Sequence, residues 1–296
     1  MTTVSHTSAE IATQPELWAR AAALAGDCVG LPKSGERVAI VGCGTSWFIG
    51  QAYAVLRERA GLGVTDAFAA SEFPGVRDYD RVIALTRSGT TTEVLRLLAD
   101  IRGAVATTAI TGTPGTPIMT SADEIVMLDF ADEQSVVQTR FATTALALLR
   151  AHVGEDPAAA VRDAETAVAW VPDAALVAAE QFTFLGSGWS TGLAAEAALK
   201  MREAAGAWTE SYPAMEYRHG PISIAAPNRI TWVFGPVPEG LAEQVAATGG
   251  MFVAGALDPM AELVRVQKLA VAVAEGRGLN PDEPRHLTRS VVLDAS

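Results

Sequence analysis

The sequence predicts an α/β protein in which parallel sheets are covered by helices. Short apolar, β-branched runs alternate with Ala- and Leu-rich segments of helical period. The pattern also occurs twice along the chain, and 296 residues with 49% hydrophobic and 19% charged composition are enough to bury a full core. Two modest domains or one large unit fit this length.

Each predicted strand is a short run of apolar, β-branched or aromatic residues, and each predicted helix is longer and has apolar residues at helical spacing. The predicted strands are 37–41, 81–85, 105–111, 124–128, 182–185, 230–234 and 252–254. The predicted helices are 47–60, 92–102, 136–152, 191–205, 241–247 and 259–275.

An internal repeat organises these elements. The segments RVAIVGCGTS (37–46) and QFTFLGSGWS (181–190) share a strand, a G-x-G turn and a hydroxyl residue at the helix start. RVIALTRSG from Arg81 and RITWVFGPV from Arg229 follow at nearly the same offset. Two copies of one α/β unit account for this, with a linker in HVGEDPAAA. We therefore expect a first domain at 1–152 and a second at 153–296.

Composition limits the binding partners and the cellular compartment that we expect for this protein. A net charge of -12 and a pI near 4.8 argue against nonspecific nucleic-acid binding and against an anionic membrane surface. Cys28 and Cys43 have no metal-like spacing, so a reducing cytoplasm is expected. The first residues lack a signal-peptide pattern and no stretch reaches the ~20 apolar residues of a membrane span, which predicts a soluble protein.

The first G-x-G loop, VGCGTS, suits a polar or anionic ligand. Gly42 and Gly44 allow a tight turn, and the hydroxyls of Thr45 and Ser46 lie at a helix N-terminus with free amides. A dinucleotide fingerprint is disfavoured because Trp47 stands at its third position. An ordinary tight turn explains the loop equally well.

The loop TRSGTTTE (86–93) is more informative. Five hydroxyl residues surround one glycine at a strand-to-helix junction, where backbone amides lack partners. This composition favours a phosphate site, which we call the hydroxyl loop, over a capped helix, because a cap needs one hydroxyl. A Walker loop is absent from the sequence.

The segment EAALKMREAAG places Glu196, Lys200 and Glu203 at i, i+4 and i+7, on one helix face. The pattern alone favours a solvated ion-pair stripe over an acid-base site. His219, before Gly-Pro, is equally consistent with a hydrogen-bonded loop residue.

These motifs occur in the order typical of one family. GCGTS, TRSGTT, EQSV, GSG, E-x-x-x-K-x-x-E and HGP resemble the motif set of the sugar isomerase (SIS) family, from EIATQP at Glu10 to PRHLTRSVV at Val292. The chain is similar to the isomerase module of glucosamine-6-phosphate synthase and to stand-alone phosphosugar deaminases and isomerases. The resemblance implies two tandem SIS domains, each an αβα sandwich of flavodoxin-like type.

The resemblance also implies residue roles. Glu203 corresponds to the proton-shuttling carboxylate, and His219 to a ring-opening histidine that enters from the neighbouring subunit. Lys200 and Glu196 occupy matching positions on the active-site helix. Arg289 stands where the synthase has a lysine, and arginine cannot form an imine. The implied sugar- and phosphate-binding residues are Thr45, Ser46, Thr86, Arg87, Ser88, Thr91, Glu133 and Val136.

The implied activity is aldose-ketose isomerisation or deamination of a 6-phosphorylated hexose or aminohexose, without metal or other cofactor, in a homodimer. A plain phosphate isomerase, a deglycase and a non-catalytic sugar-phosphate sensor remain alternatives. No cysteine follows Met1, and no glutaminase domain is expected. The synthase reaction itself is therefore not expected either.

Overall fold

The computed structural model describes residues 4–293 and contains two parallel β-sheets within that range. The first sheet has the strand order β2-β1-β3-β4-β5, and the second has the order β7-β6-β8-β9. The strands are β1 Val38–Gly42, β2 Thr65–Ala69, β3 Arg81–Thr86, β4 Ala106–Thr111, β5 Glu124–Met127, β6 Gln181–Gly186, β7 Trp208–Pro213, β8 Arg229–Phe234 and β9 Met251–Ala254.

Ten α-helices are assigned in the same range, with short 3-10 turns in several of the loops. They are α1 His6–Ala12, α2 Gln14–Leu24, α3 Thr45–Arg59, α4 Thr92–Asp100, α5 Arg140–His152, α6 Ala158–Ala169, α7 Ala174–Val177, α8 Ser190–Ala205, α9 Leu241–Ala247 and α10 Pro259–Gly276.

The described chain forms two compact units that interleave in sequence. The β1–β5 unit contains residues 16–133, 140–157 and 288–293. The β6–β9 unit contains residues 4–15, 134–139 and 158–287. The single domain boundary after His152 stays a prediction. Residues 4–15 and 134–139, which precede it, belong to the β6–β9 unit, and residues 288–293, which follow it, belong to the β1–β5 unit.

In the β1–β5 unit, the central strands are apolar and buried. All five residues of β1 are buried, and β1 pairs in parallel with β2 and β3. At the end of β1, a Cβ on Gly42 would lie 2.6 Å from the Cβ of Ser46, closer than side chains approach. Glycine is therefore required for α3 to start directly against the end of the strand.

The β6–β9 unit repeats this junction. All six residues of β6 are buried, and a Cβ on Gly186 would lie 2.3 Å from the carbonyl oxygen of Ser190 at the start of α8. Helix α8 ends at Gly206, which has left-handed backbone geometry (φ 57°, ψ 30°). The repeat partners β1 and β6 thus have equivalent positions in their sheets: β1 lies next to the edge strand β2, and β6 lies next to the edge strand β7.

Each of the seven predicted strands overlaps an observed strand, but β2 and β7 were not predicted. Both are edge strands, and only one residue of each is fully buried. Their sequences, TDAFA and WTESYP, therefore lack the continuous apolar run that marks a central parallel strand.

The predicted helix 136–152 was wrong at its start, because α5 begins at Arg140. The Glu133 carboxylate accepts a hydrogen bond from the Arg140 amide at 2.8 Å and so satisfies the helix N-terminus. Residues 134–137 form bends.

No helix in the described range 4–293 is both long enough and apolar enough to cross a membrane. Within the same range, no group of three or more His, Cys, Asp and Glu side chains could hold a metal ion.

Candidate functional site

The hydroxyl loop connects β3 to α4 in the β1–β5 unit and is folded by its own side chains. The Gly89 amide donates to Thr86 Oγ1 at 3.3 Å, and Thr90 Oγ1 lies 3.1 Å from Ser88 Oγ. Gly89 has φ +63°, and a Cβ there would lie 2.2 Å from Thr116 Oγ1. The loop is therefore fixed in a tight turn at which only glycine fits.

Thr91 caps α4, but its side chain makes no capping hydrogen bond. Its hydroxyl is thus not committed to the helix N-terminus, unlike an ordinary Ser/Thr cap. The loop lies at the carboxyl end of β3, next to the carboxyl end of β1, where Thr45 and Ser46 start α3 and are buried. In parallel sheets, ligands bind where the connections leave neighbouring strands in opposite directions, and β1 and β3 are such a pair.

Arg87 has a different environment from the hydroxyls around it. Its side chain is 1% exposed and pairs with Glu133 at 3.4 Å, while Nη2 donates to the Arg289 carbonyl at 2.9 Å. Its own carbonyl accepts hydrogen bonds from the Gly112 amide and from Thr111 and Thr113 hydroxyls. Arg87 therefore joins the hydroxyl loop to Glu133 and to the C-terminal residues.

The C-terminal residues 288–293 lie along the hydroxyl loop. Ser290 Oγ is 2.8 Å from Thr90 Oγ1, and the Val291 carbonyl accepts the Thr92 amide at 3.1 Å. The Arg289 guanidinium contacts the Asp132 carboxylate and the Glu133 carbonyl. Arg289 thereby ties this segment, which we call the C-terminal strap, to residues 132 and 133, while Ser290 and Val291 bind it to the loop.

In the β6–β9 unit, helix α8 carries the predicted acid-base stripe. Lys200 Nζ lies 3.5 Å from the Glu196 carboxylate and is hydrogen bonded to the Glu203 carboxylate. The side chains of Lys200, Glu196 and Glu203 are 1%, 0% and 20% exposed. Buried charges are costly unless paired, so the stripe is a buried ion cluster and not a solvated surface face.

Glu203 also lines a cavity of about 790 Å³ at the C-terminal end of α8. The other lining residues belong to the segment that follows α10, which includes Pro284 and Arg285 of the PRHLTRSVV motif. A carboxylate that is paired to a buried cation and borders an open cavity can exchange a proton with a bound ligand. The residues lining this Glu203 cavity are 202–206, 277–280 and 283–286.

His219 is exposed and follows the 3-10 turn Glu216–Arg218. Its amide donates to the Glu216 carbonyl at 2.9 Å. Among the described residues, it does not line the Glu203 cavity. Its predicted role thus remains a prediction.

Val136 lies in a segment held from two sides within the β6–β9 unit. Its amide donates to the Asp282 carbonyl at 3.2 Å. The buried Glu10 carboxylate accepts from Ser135 Oγ at 2.6 Å and from the amides of Gln134 and Ser135. Glu10 was not predicted as a site residue, although it begins the EIATQP motif.

The carboxylate of Asp282 binds the first turn of α1. It accepts from the His6 amide at 2.9 Å and from the Thr7 amide and hydroxyl at 2.7 Å. Burial opposes ionisation of Asp282, but these hydrogen bonds outweigh it and hold the pKa of the carboxyl below its ordinary value. Helix α1 therefore anchors both the Val136 segment and the segment that follows α10.

The cysteine in the first G-x-G loop is not activated. Burial, followed by the nearby charge of Glu93, raises the pKa of the Cys43 thiol to about 11. A thiol with such a pKa is protonated at neutral pH and is a poor nucleophile.

Comparison with known proteins identifies an SIS domain within the chain and the fold of the chain. Residues 31–153 match the sequence model of the SIS domain. The glutamine–fructose-6-phosphate aminotransferase (isomerizing) of Halobacterium salinarum is 30% identical over 86% of this chain and 51% of that protein. The chain thus spans about half the length of such relatives.

Solved structures have the same fold over nearly the whole chain. Glucosamine-6-phosphate deaminase from Thermotoga maritima superposes with a TM-score of 0.84 and 22% identity, covering 98% of this chain and 100% of that one. Tagatose-6-phosphate ketose/aldose isomerase from Escherichia coli superposes with a TM-score of 0.79 and 19% identity, covering 98% of this chain and 96% of that one. Residues 31–153 of this chain therefore contain an SIS domain, and the fold of nearly the whole chain is that of these solved structures.

Proposed function

We propose that the protein is a phosphosugar isomerase or deaminase that acts on a 6-phosphorylated hexose or aminohexose. In this proposal it is built from two tandem SIS domains of flavodoxin-like type. The observation that carries the proposal is the environment of Glu203, whose carboxylate is paired with a buried lysine and borders an open cavity. Relatives named for fructose 6-phosphate and glucosamine 6-phosphate chemistry support the substrate class.

In the proposed reaction, the hydroxyl loop binds the phosphate through Ser88, Thr91 and the loop amides, assisted by Thr86. Thr45 and Ser46 contact the sugar. Arg87 and Glu133 hold the loop in shape through their buried ion pair.

Glu203 then removes the proton from the carbon adjacent to the open-chain carbonyl, and the electron pair forms an enediol or enolamine. Lys200, which lies beside the carboxylate, stabilises the negative charge that develops on the substrate oxygen. Glu196 offsets the positive charge of the lysine in the resting state. Glu203 returns the proton to the neighbouring carbon. A 2-hydroxy substrate gives the ketose directly.

With a 2-amino substrate, the same proton transfer leaves an imine at C2. Water adds to this carbon and ammonia leaves, which yields the ketose phosphate. His219 is proposed to open the sugar ring from the neighbouring subunit of a homodimer, because its side chain is exposed and lies outside the Glu203 cavity.

The direct test is a coupled ammonia-release assay and an isomerisation assay on glucosamine 6-phosphate and galactosamine 6-phosphate. We expect Glu203→Gln to lower kcat at least about 100-fold, the lower range for a general base. Glu243→Gln is the matched control, since Glu243 is exposed on α9. Near wild-type turnover by Glu203→Gln would contradict the assignment.

The phosphate assignment has its own test in Thr91→Val. Because the Thr91 side chain makes no capping bond, the change should leave the stability of α4 nearly unaltered while raising KM for the phosphosugar by about tenfold. An unchanged KM would remove Thr91 from the phosphate site.

Mixing His219→Ala with Glu203→Gln tests the shared site. If the two residues serve one site across a dimer, exchange of subunits restores part of the activity. Tight phosphosugar binding without turnover of any substrate would instead favour a sugar-phosphate sensor.

A further inference from the structure

The charge of the Glu203 cavity is opposite to that of the protein. The chain has 34 acidic and 22 basic residues. The cavity is nevertheless lined by three arginines and a histidine, against the carboxylates of Glu203 and Glu283. A local excess of guanidinium groups in an acidic protein favours an anionic ligand. The arginines are Arg202, Arg277 and Arg285, and the histidine is His286.

Two of the arginines are fixed to the cavity wall. Arg202 Nη1 donates to Thr209 Oγ1 at 2.9 Å, and Arg277 Nη1 donates to the Ala205 carbonyl at 2.9 Å. Each bond uses one of the five N–H donors of a guanidinium. The bonds thereby orient the groups, and a planar anion can be bound by the donors that remain.

His286 has an unusual backbone conformation. Its φ is +63°, and among the described residues only Asn228 shares a positive φ without being glycine. Residues held in the left-handed region concentrate at ligand sites, where the surrounding structure compensates the strain. This second observation places a strained residue with an exposed imidazole in the same cavity as the arginines.

We infer that the Glu203 cavity contains an anion subsite for a carboxylate or phosphate group, distinct from the hydroxyl loop. The inference rests on the proposed function, in which the hydroxyl loop takes the 6-phosphate. The volume of about 790 Å³ lies within the ~300–1,000 Å³ range of small-molecule sites and leaves room beyond a hexose. The anion is either a carboxylate attached at the reacting end of the substrate or a free anionic effector.

Calorimetric titration of the full chain with inorganic phosphate tests the subsite. Wild-type protein should show two phosphate sites. The cavity variant Arg277→Gln/Arg285→Gln should weaken one of them at least about tenfold, and the loop variant Thr91→Val should weaken the other. Arg59→Gln/Arg162→Gln is the matched control, because both residues are exposed and the net-charge change is the same.

A wild-type protein with a single site that only Thr91→Val weakens would overturn the inference, as would a cavity variant that retains both affinities. Either outcome leaves the proposed function standing. Conversely, absence of turnover would refute the proposed function while the second phosphate site could still be measured.

Two ketosamine 6-phosphates distinguish the sources of the anion. One carries a carboxymethyl group on nitrogen and the other the uncharged carbamoylmethyl group. A substrate-borne carboxylate predicts a lower KM for the first compound in wild type and loss of this preference in the cavity variant. A free effector predicts equal KM values that respond to added phosphate in wild type but not in the cavity variant.

Discussion

Replacing Lys200 by methionine should destabilise the protein more than any other lysine substitution. The change removes the cation from a cluster in which Glu196 is 0% exposed and Glu203 is 20% exposed. Breaking a buried ion pair by removing one partner costs about 3–5 kcal/mol, because the remaining charge is left uncompensated. Here two carboxylates would remain, which favours the upper end of that range.

The assay is urea unfolding followed by circular dichroism, with a thermal melt as the second measure. At about 2–4 °C per kcal/mol for large domains, the expected fall in Tm is roughly 6–20 °C. Lys33→Met is the control, because Lys33 is exposed. It should change the free energy of unfolding by less than about 0.5 kcal/mol.

A double substitution separates the ion pair from helix packing. The repeat aligns Glu196 and Lys200 with Ala52 and Leu56 of α3, both of which are buried. Glu196→Ala/Lys200→Leu should therefore recover most of the stability lost in Lys200→Met, since an apolar replacement of a buried pair is often neutral. A Lys200→Met variant within about 1 kcal/mol of wild type would refute the buried-cluster reasoning.

Three further outcomes follow from the geometry. The lowered pKa of Asp282 contributes stability above the ordinary carboxyl pKa of about 4, and this is lost as the pH falls through the lower folded value. Urea midpoints of wild type and Asp282→Asn should thus differ at pH 7 and converge at acid pH; a gap that persists would contradict this. Gly255→Ala should lower the Tm, because its Cβ would lie 1.5 Å from an oxygen of Glu262 and that carboxylate would have to leave its bonds to Trp232 and Arg265, whereas Gly26→Ala meets nothing within 4 Å and should be tolerated in the same thermal melt. Glu133→Gln should lower the free energy of unfolding by about 3–5 kcal/mol, measured by urea titration, because it leaves its buried arginine partner uncompensated.

The central strands could be predicted from the sequence because burial on both faces requires continuous apolar runs. Strands β1, β3, β6 and β8 are of this kind. The edge strands β2 and β7 could not, because only one residue of each is fully buried and neither sequence has a continuous apolar run. The same limit applies to the start of α5, which is set by the side chain of Glu133.

The candidate site was predictable where it is local in sequence. The hydroxyl loop and the α8 stripe are continuous motifs in the sequence, although the spacing of the α8 stripe alone favoured a solvated ion-pair face. The residues that anchor them are distant in the chain: Glu10 lies 125 positions from Ser135, and Thr7 lies 275 from Asp282. In the sequence, only the family resemblance that begins at the EIATQP motif indicated that residues near the N-terminus contribute to the candidate site.

Comparison of the two repeat copies shows which residues the fold does not require. Both copies keep the glycine that lets a helix start against a strand, at Gly42 and Gly186. The second copy, however, uses the hydroxyl of Ser190 internally, bonded to the Phe234 carbonyl at 2.7 Å.

The end of β8 and the loop that follows have Phe234 and Pro236 where the end of β3 and its loop have Thr86 and Ser88. Conversely, α8 carries a buried lysine and two glutamates where α3 has Ala52, Leu56 and Arg59. A fold that forms equally well with either set does not need the hydroxyls or the ion cluster for packing. Because a buried ion cluster costs desolvation that apolar side chains avoid, its presence in one copy alone is best explained by the chemistry proposed for Glu203.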